Sequence, residues 1–87
     1  MRLRIRRRAK KELLDIDDDA TFVAVVRSIL DLEANPPPRG YDKVEGQDDI
    51  YRMWVGRNWR VLYTIDAGRG ELIIEAVRRK DEGTYRR

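Results

Sequence analysis

Three short runs in the second half of the chain, Ile50–Val55, Trp59–Ile65 and Leu72–Arg78, fix much of what it can become. Each is rich in β-branched and aromatic residues and alternates in side-chain character. Gly56-Arg57-Asn58 separates the first pair and Asp66-Ala67-Gly68-Arg69-Gly70 the second. Such breaks are hairpin turns, so the three runs form consecutive antiparallel strands. The first half differs. Arg2-Leu3-Arg4-Ile5-Arg6 alternates and predicts a short strand. From Ala9 the period lengthens: Ala9, Leu13 and Ile16 recur as on one side of a helix. A second helix begins at Asp18 or Asp19 as N-cap and places Phe22, Val25, Val26, Ile29, Leu30 and the aliphatic stem of Glu33 on one side. It stops at Asn35 before Pro36-Pro37-Pro38, and residues 36 to 48 form a loop.

The expected architecture is therefore α+β, in the order β-α-α-β-β-β, with a small, mostly antiparallel sheet. Two helices suffice to cover one face of it and leave the other for function. Eighty-seven residues make room for one domain, 1–87, with one modest core. No apolar run reaches the roughly 18 residues that a membrane span requires, and the basic start is not followed by the apolar stretch of a secretory signal. Acids at Glu12, Asp15 and Asp17 to Asp19 argue against a transit peptide, so a cytoplasmic protein is expected.

Chemistry is bounded by what is missing. The sequence has no cysteine and no histidine, which removes disulfides, thiolate metal sites and the commonest general base. The Asp17–Asp19 run suits helix capping better than metal binding, because successive helix-start residues do not converge on one ion. No metal, cofactor or small-molecule ligand is expected. Any catalysis falls to Arg, Lys, Tyr, Asp or Glu.

The net charge of +3 is modest, but seven cations crowd residues 2 to 11 before the first acid, Glu12, and Arg78, Arg79, Lys80, Arg86 and Arg87 crowd the other end. If the two ends meet, they make a positive surface for a polyanion or an acidic protein. Solvated surface charge is the plain alternative. Alternation sharpens the choice. Taking the more apolar set of each strand as the helix-covered side leaves Arg52, Trp54, Arg60 and Arg79 on the opposite face. Arginines gathered from adjacent strands beside an aromatic ring suit a phosphate backbone with a stacked base. A single register slip would scatter them. Tyr51, Tyr63 and Trp59 are expected in the core.

Together these stretches resemble the RelE/ParE toxin family. The matching pieces are Ala9-Lys10-Lys11-Glu12-Leu13, Asn35-Pro36, Lys43-Val44-Glu45-Gly46, Tyr51-Arg52-Met53-Trp54-Val55-Gly56, Trp59-Arg60-Val61-Leu62-Tyr63, and Arg79 with Tyr85-Arg86. The resemblance implies a toxin neutralised by a cognate antitoxin that wraps around it. In the RelE branch it implies a ribosome-dependent messenger-RNA endoribonuclease, with Arg52, Arg60, Arg79 and Tyr85 as catalytic residues. Trp54, Arg78, Lys80 and Arg86 are then RNA-binding candidates, and the partners are mRNA and the ribosome. Tyr85 would act as base, Arg60 as phosphate clamp and Arg79 at the leaving group. A free phenol titrates near pH 10, so about 0.1% is ionised at neutral pH unless cations favour the phenolate. Trp54 stands where that branch has a second basic residue. A ParE-like DNA gyrase inhibitor without nuclease activity, or a non-catalytic RNA- or ribosome-binding module, are the alternatives.

Overall fold

The computed structural model describes residues 1–35 and 50–80. The loop motif Lys43–Gly46 and the candidates Tyr85 and Arg86 lie outside these residues. Six elements follow one another: β1 (Arg2–Ile5), α1 (Arg7–Leu14), α2 (Asp19–Ala34), β2 (Tyr51–Val55), β3 (Trp59–Asp66) and β4 (Glu71–Arg79). The strands lie in the order β1-β4-β3-β2, with β1 parallel to β4 and the two hairpin pairs antiparallel. This is the α+β arrangement the sequence predicts. Among the described residues no helix is long and apolar enough to cross a membrane.

Local chemistry explains the element ends. Asp18 is the N-cap of α2: its Oδ2 accepts from the Thr21 backbone N–H at 2.8 Å and from the Thr21 hydroxyl at 2.6 Å. α1 begins two residues earlier than its apolar spacing suggests and ends at Leu14, so Ile16 packs against the core from outside the helix. Gly56 and Gly70 have φ near +64° and +65°, in the left-handed region that both turns require and that a Cβ disfavours.

Both helices lie on one side of the sheet. Ala9 and Leu13 from α1 meet Val25, Ile29 and Leu32 from α2 over Val55, Val61, Tyr63, Leu72, Ile74 and Val77. Tyr63 is fully buried, and its ring stacks on Tyr51 with centroids 5.7 Å apart. Tyr51 and Trp59 are half-buried against this core, as expected. Leu30 is not: it is 49% exposed, and Leu32 fills the position towards the sheet. At about 100° per residue, Leu30 lies too far round α2 from Val25, Ile29 and Leu32 to reach the sheet.

Candidate nucleic-acid interface

Residues opposite one another in a sheet share a face, so the pairing register assigns every strand side chain to a side. Val55 pairs with Trp59 and Trp59 with Arg79; Trp54 pairs with Arg60 and Arg60 with Arg78. The first set belongs to the helix-covered side, where Trp59 packs against the core. The second set, with Arg52 opposite Leu62, belongs to the helix-free side. Trp54, Arg60 and Arg78 thus form one row across β2, β3 and β4.

Arg79 is therefore not where simple alternation puts it. Between Leu62 and Tyr63 the β3–β4 register shifts, with Leu62 opposite Ala76 but Tyr63 opposite Ile74. Glu75 is the extra residue of a β-bulge, and a bulge exchanges the faces of everything beyond it. Val77 is consequently buried under the helices and Ala76 turns to the opposite side, the reverse of the expected assignment. Arg78 takes the place beside Arg60 that the sequence reading gives to Arg79. Arg79 lies over the Trp59 ring at 5.8 Å. With Trp59 it lines a helix-side cleft of about 460 Å³ that also includes Glu12, Asp15, Asp17 and Asp18.

The helix-free face divides by charge. Near β1, cations and acids compensate one another: Arg6 Nε lies 2.8 Å from Glu75 Oε1, and Arg4 Nη1 lies 3.7 Å from Glu71 Oε1, an ion pair too long for a hydrogen bond. The Thr64 hydroxyl donates to the second Glu75 oxygen at 2.9 Å. Towards the other end the strand positions carry Arg52, Trp54, Arg60, Leu62, Ala76 and Arg78, with no carboxylate on the strands among them. Like charges directly opposite each other, as Arg60 and Arg78 are, weaken a sheet. The Arg60 Nε is buried without a hydrogen-bond partner.

Trp54 is 43% exposed, and the Arg52 guanidinium sits over its ring at 5.5 Å. This exposed indole among guanidinium groups can take a nucleobase on its face while the cations take the phosphates. Lys80, exposed just beyond β4, donates its backbone N–H to the Asn58 carbonyl, which places it near the β2–β3 turn. The structure thus gathers Arg52, Trp54, Arg60 and Arg78 and separates Arg79 from them.

One residue was missed. Glu12 reaches from α1 to β4, accepting the Val77 backbone N–H at 2.8 Å and lying 3.5 Å from Arg78 Nε. Its signal was present in the sequence, since Glu12 falls at i+3 from Ala9, on the stripe that buries Ala9 and Leu13. A carboxylate on such a stripe needs a partner.

A family model described as the ParE toxin of the type II toxin–antitoxin system parDE matches residues 3–83. The chain belongs to this toxin family. Solved structures with the same fold include the RelBE2 toxin–antitoxin complex of Mycobacterium tuberculosis (TM-score 0.76, 23% identity, 90% of this chain and 95% of that one). The isolated RelE toxin of E. coli is similar at TM-score 0.75 and 16% identity, over 98% and 96% of the two chains. The RelE–RelB complex of Pyrococcus horikoshii is similar at TM-score 0.72 and 25% identity, over 91% and 93%. No curated protein sequence gives a match. The RelE/ParE toxin superfamily identified in the sequence is thereby established, together with its fold.

Proposed function

We propose that the protein is the toxin of a type II pair, held in check by a cognate antitoxin, and that its helix-free face grips messenger RNA on the ribosome and promotes its cleavage. The observation that carries this reading is the row Trp54–Arg60–Arg78, joined by Arg52, at the end of the sheet face that has no strand carboxylate. Cleavage by internal attack moves the 2′-hydroxyl proton to the general base and forms a bond from the 2′-oxygen to phosphorus. The bond to the 5′-oxygen breaks, and that oxygen leaves with a proton from solvent. Negative charge grows on the phosphoryl oxygens, and guanidinium groups stabilise it without giving up a proton. Arg60 serves as the clamp, Arg52 positions the backbone, and Trp54 stacks a neighbouring base. The register favours Arg78 for the leaving-group side, the role that the resemblance gives to Arg79. Tyr85 keeps the role of base in this reading, on the resemblance alone.

A second reading, a gyrase inhibitor that binds without cleaving, is favoured by the separation of Arg79 from Arg60 and by the ParE family match. Two assays of the purified protein separate them. Messenger cleaved in a cell-free translation reaction, with gyrase supercoiling unaffected, supports the ribonuclease reading. Inhibited supercoiling with normal translation overturns it in favour of the second.

A further inference from the structure

β1 accompanies β4 only as far as Ile74, whose carbonyl accepts the Arg6 N–H. Past that point, among the described residues, no strand lies along the outer edge of β4. Glu12 occupies the gap. One carboxylate oxygen caps the Val77 N–H that a continuing strand would have taken, and the other faces Arg78 Nε. Both side chains are largely covered, at 26% exposure for Glu12 and 30% for Arg78. Sealing the edge needs one oxygen. The second has a different consequence, because it lies against Arg78, the β4 member of the arginine row.

We infer that Glu12 is a positioning residue for Arg78, holding the guanidinium by an ion pair on its Nε side so that its Nη donors are presented to a phosphate shared with Arg60. A carboxylate on the Nε side leaves the four N–H donors of the two Nη groups, so a carboxylate and a phosphate can be served together. The contact also offsets the repulsion between Arg60 and Arg78 and orders a long side chain before RNA arrives, which removes part of the ordering cost of binding. The inference rests on the reading of the helix-free face as an RNA surface.

Two variants separate position from charge. Glu12→Gln keeps an acceptor for the Val77 N–H and loses the charge. Glu12→Asp keeps the charge and withdraws it by about 1.5 Å, one carbon–carbon bond. The first readout is the Arg78 Nε–H nuclear magnetic resonance signal, assigned by its disappearance in Arg78→Ala. In the parent protein it is shifted away from the position of a free arginine, and it moves towards that position in both Glu12 variants, while the backbone spectrum is retained. An unchanged signal overturns the inference.

The second readout is anisotropy of a fluorescein-labelled single-stranded RNA. Glu12→Asp weakens binding by about threefold or more when Arg78 is present and has almost no effect in an Arg78→Ala background. If Arg78→Ala weakens binding but Glu12→Asp costs the same in both backgrounds, the RNA reading stands and the positioning role falls. If Arg78→Ala leaves RNA binding unchanged, the RNA reading falls and takes the inference with it.

Discussion

Replacing Arg60 by alanine should flatten the salt dependence of RNA binding as well as weaken it. The row offers guanidinium groups from three strands, Arg52, Arg60 and Arg78, to the phosphates of one strand of RNA. Each phosphate neutralised on a single strand contributes about −0.7 to the slope of log K against log salt, so three contacts give about −2.1. Raising salt from about 50 to about 200 mM then costs about 18-fold in affinity. With Arg60 removed the slope falls to about −1.4 and the same change costs about 7-fold. The fold should survive, because the Arg60 Nε makes no hydrogen bond that the substitution would break. Anisotropy titrations of a labelled RNA across a potassium chloride series measure both slopes. Arg27→Ala, exposed on α2 on the other side of the sheet, is the control and should leave the slope unchanged. Parallel slopes for the parent and Arg60→Ala, or equal flattening by Arg27→Ala, would refute the assignment of the row as the phosphate contact.

Three further outcomes follow from the same geometry. Ile74 is fully buried between its register partners Ile5 and Tyr63, so Ile74→Ala should cost about 2–5 kcal/mol in urea unfolding. Trp54→Ala should weaken RNA binding by about 1–3 kcal/mol if a base stacks there, while Trp54→Phe should recover much of the loss, both read by anisotropy. The Thr21 hydroxyl and then the Thr21 backbone N–H hold the Asp18 carboxyl below its ordinary value of 3.8. A lowered folded-state value means that the cap's contribution is present above the unfolded value and is lost as pH falls through the folded one. The difference in thermal midpoint between the parent and Asp18→Ala should therefore be full at neutral pH and shrink in acid below 3.8.

Strand alternation, helix spacing and turn chemistry made the element order and the core legible, because each is a local property that the tertiary structure here reinforces. Arg52, Trp54 and Arg60 were placed correctly for that reason: β2 and β3 pair in unbroken register from Tyr51 to Trp59. Arg78 and Arg79 were exchanged because Glu75 adds a residue to β4. Nothing in the run Ile73-Ile74-Glu75-Ala76-Val77 distinguishes a bulge from plain alternation, since both faces offer apolar residues. The bulge is visible only through its partners, where Glu75 finds Arg6 and Thr64 on the helix-free side. Glu12 was overlooked for the complementary reason. Its helical position was legible, but the free edge of β4 that gives it a partner arises only once β1 is known to pair in parallel and to end at Ile5.

Mapping messenger 5′ ends after adding the purified protein to a cell-free translation reaction, beside an Arg60→Ala control, decides whether the arginine row cleaves RNA. New ends should arise inside translated codons, only when ribosomes are engaged, and should be lost in the control. Intact messenger with the parent protein, or cleavage that persists unchanged in Arg60→Ala, would contradict that reading.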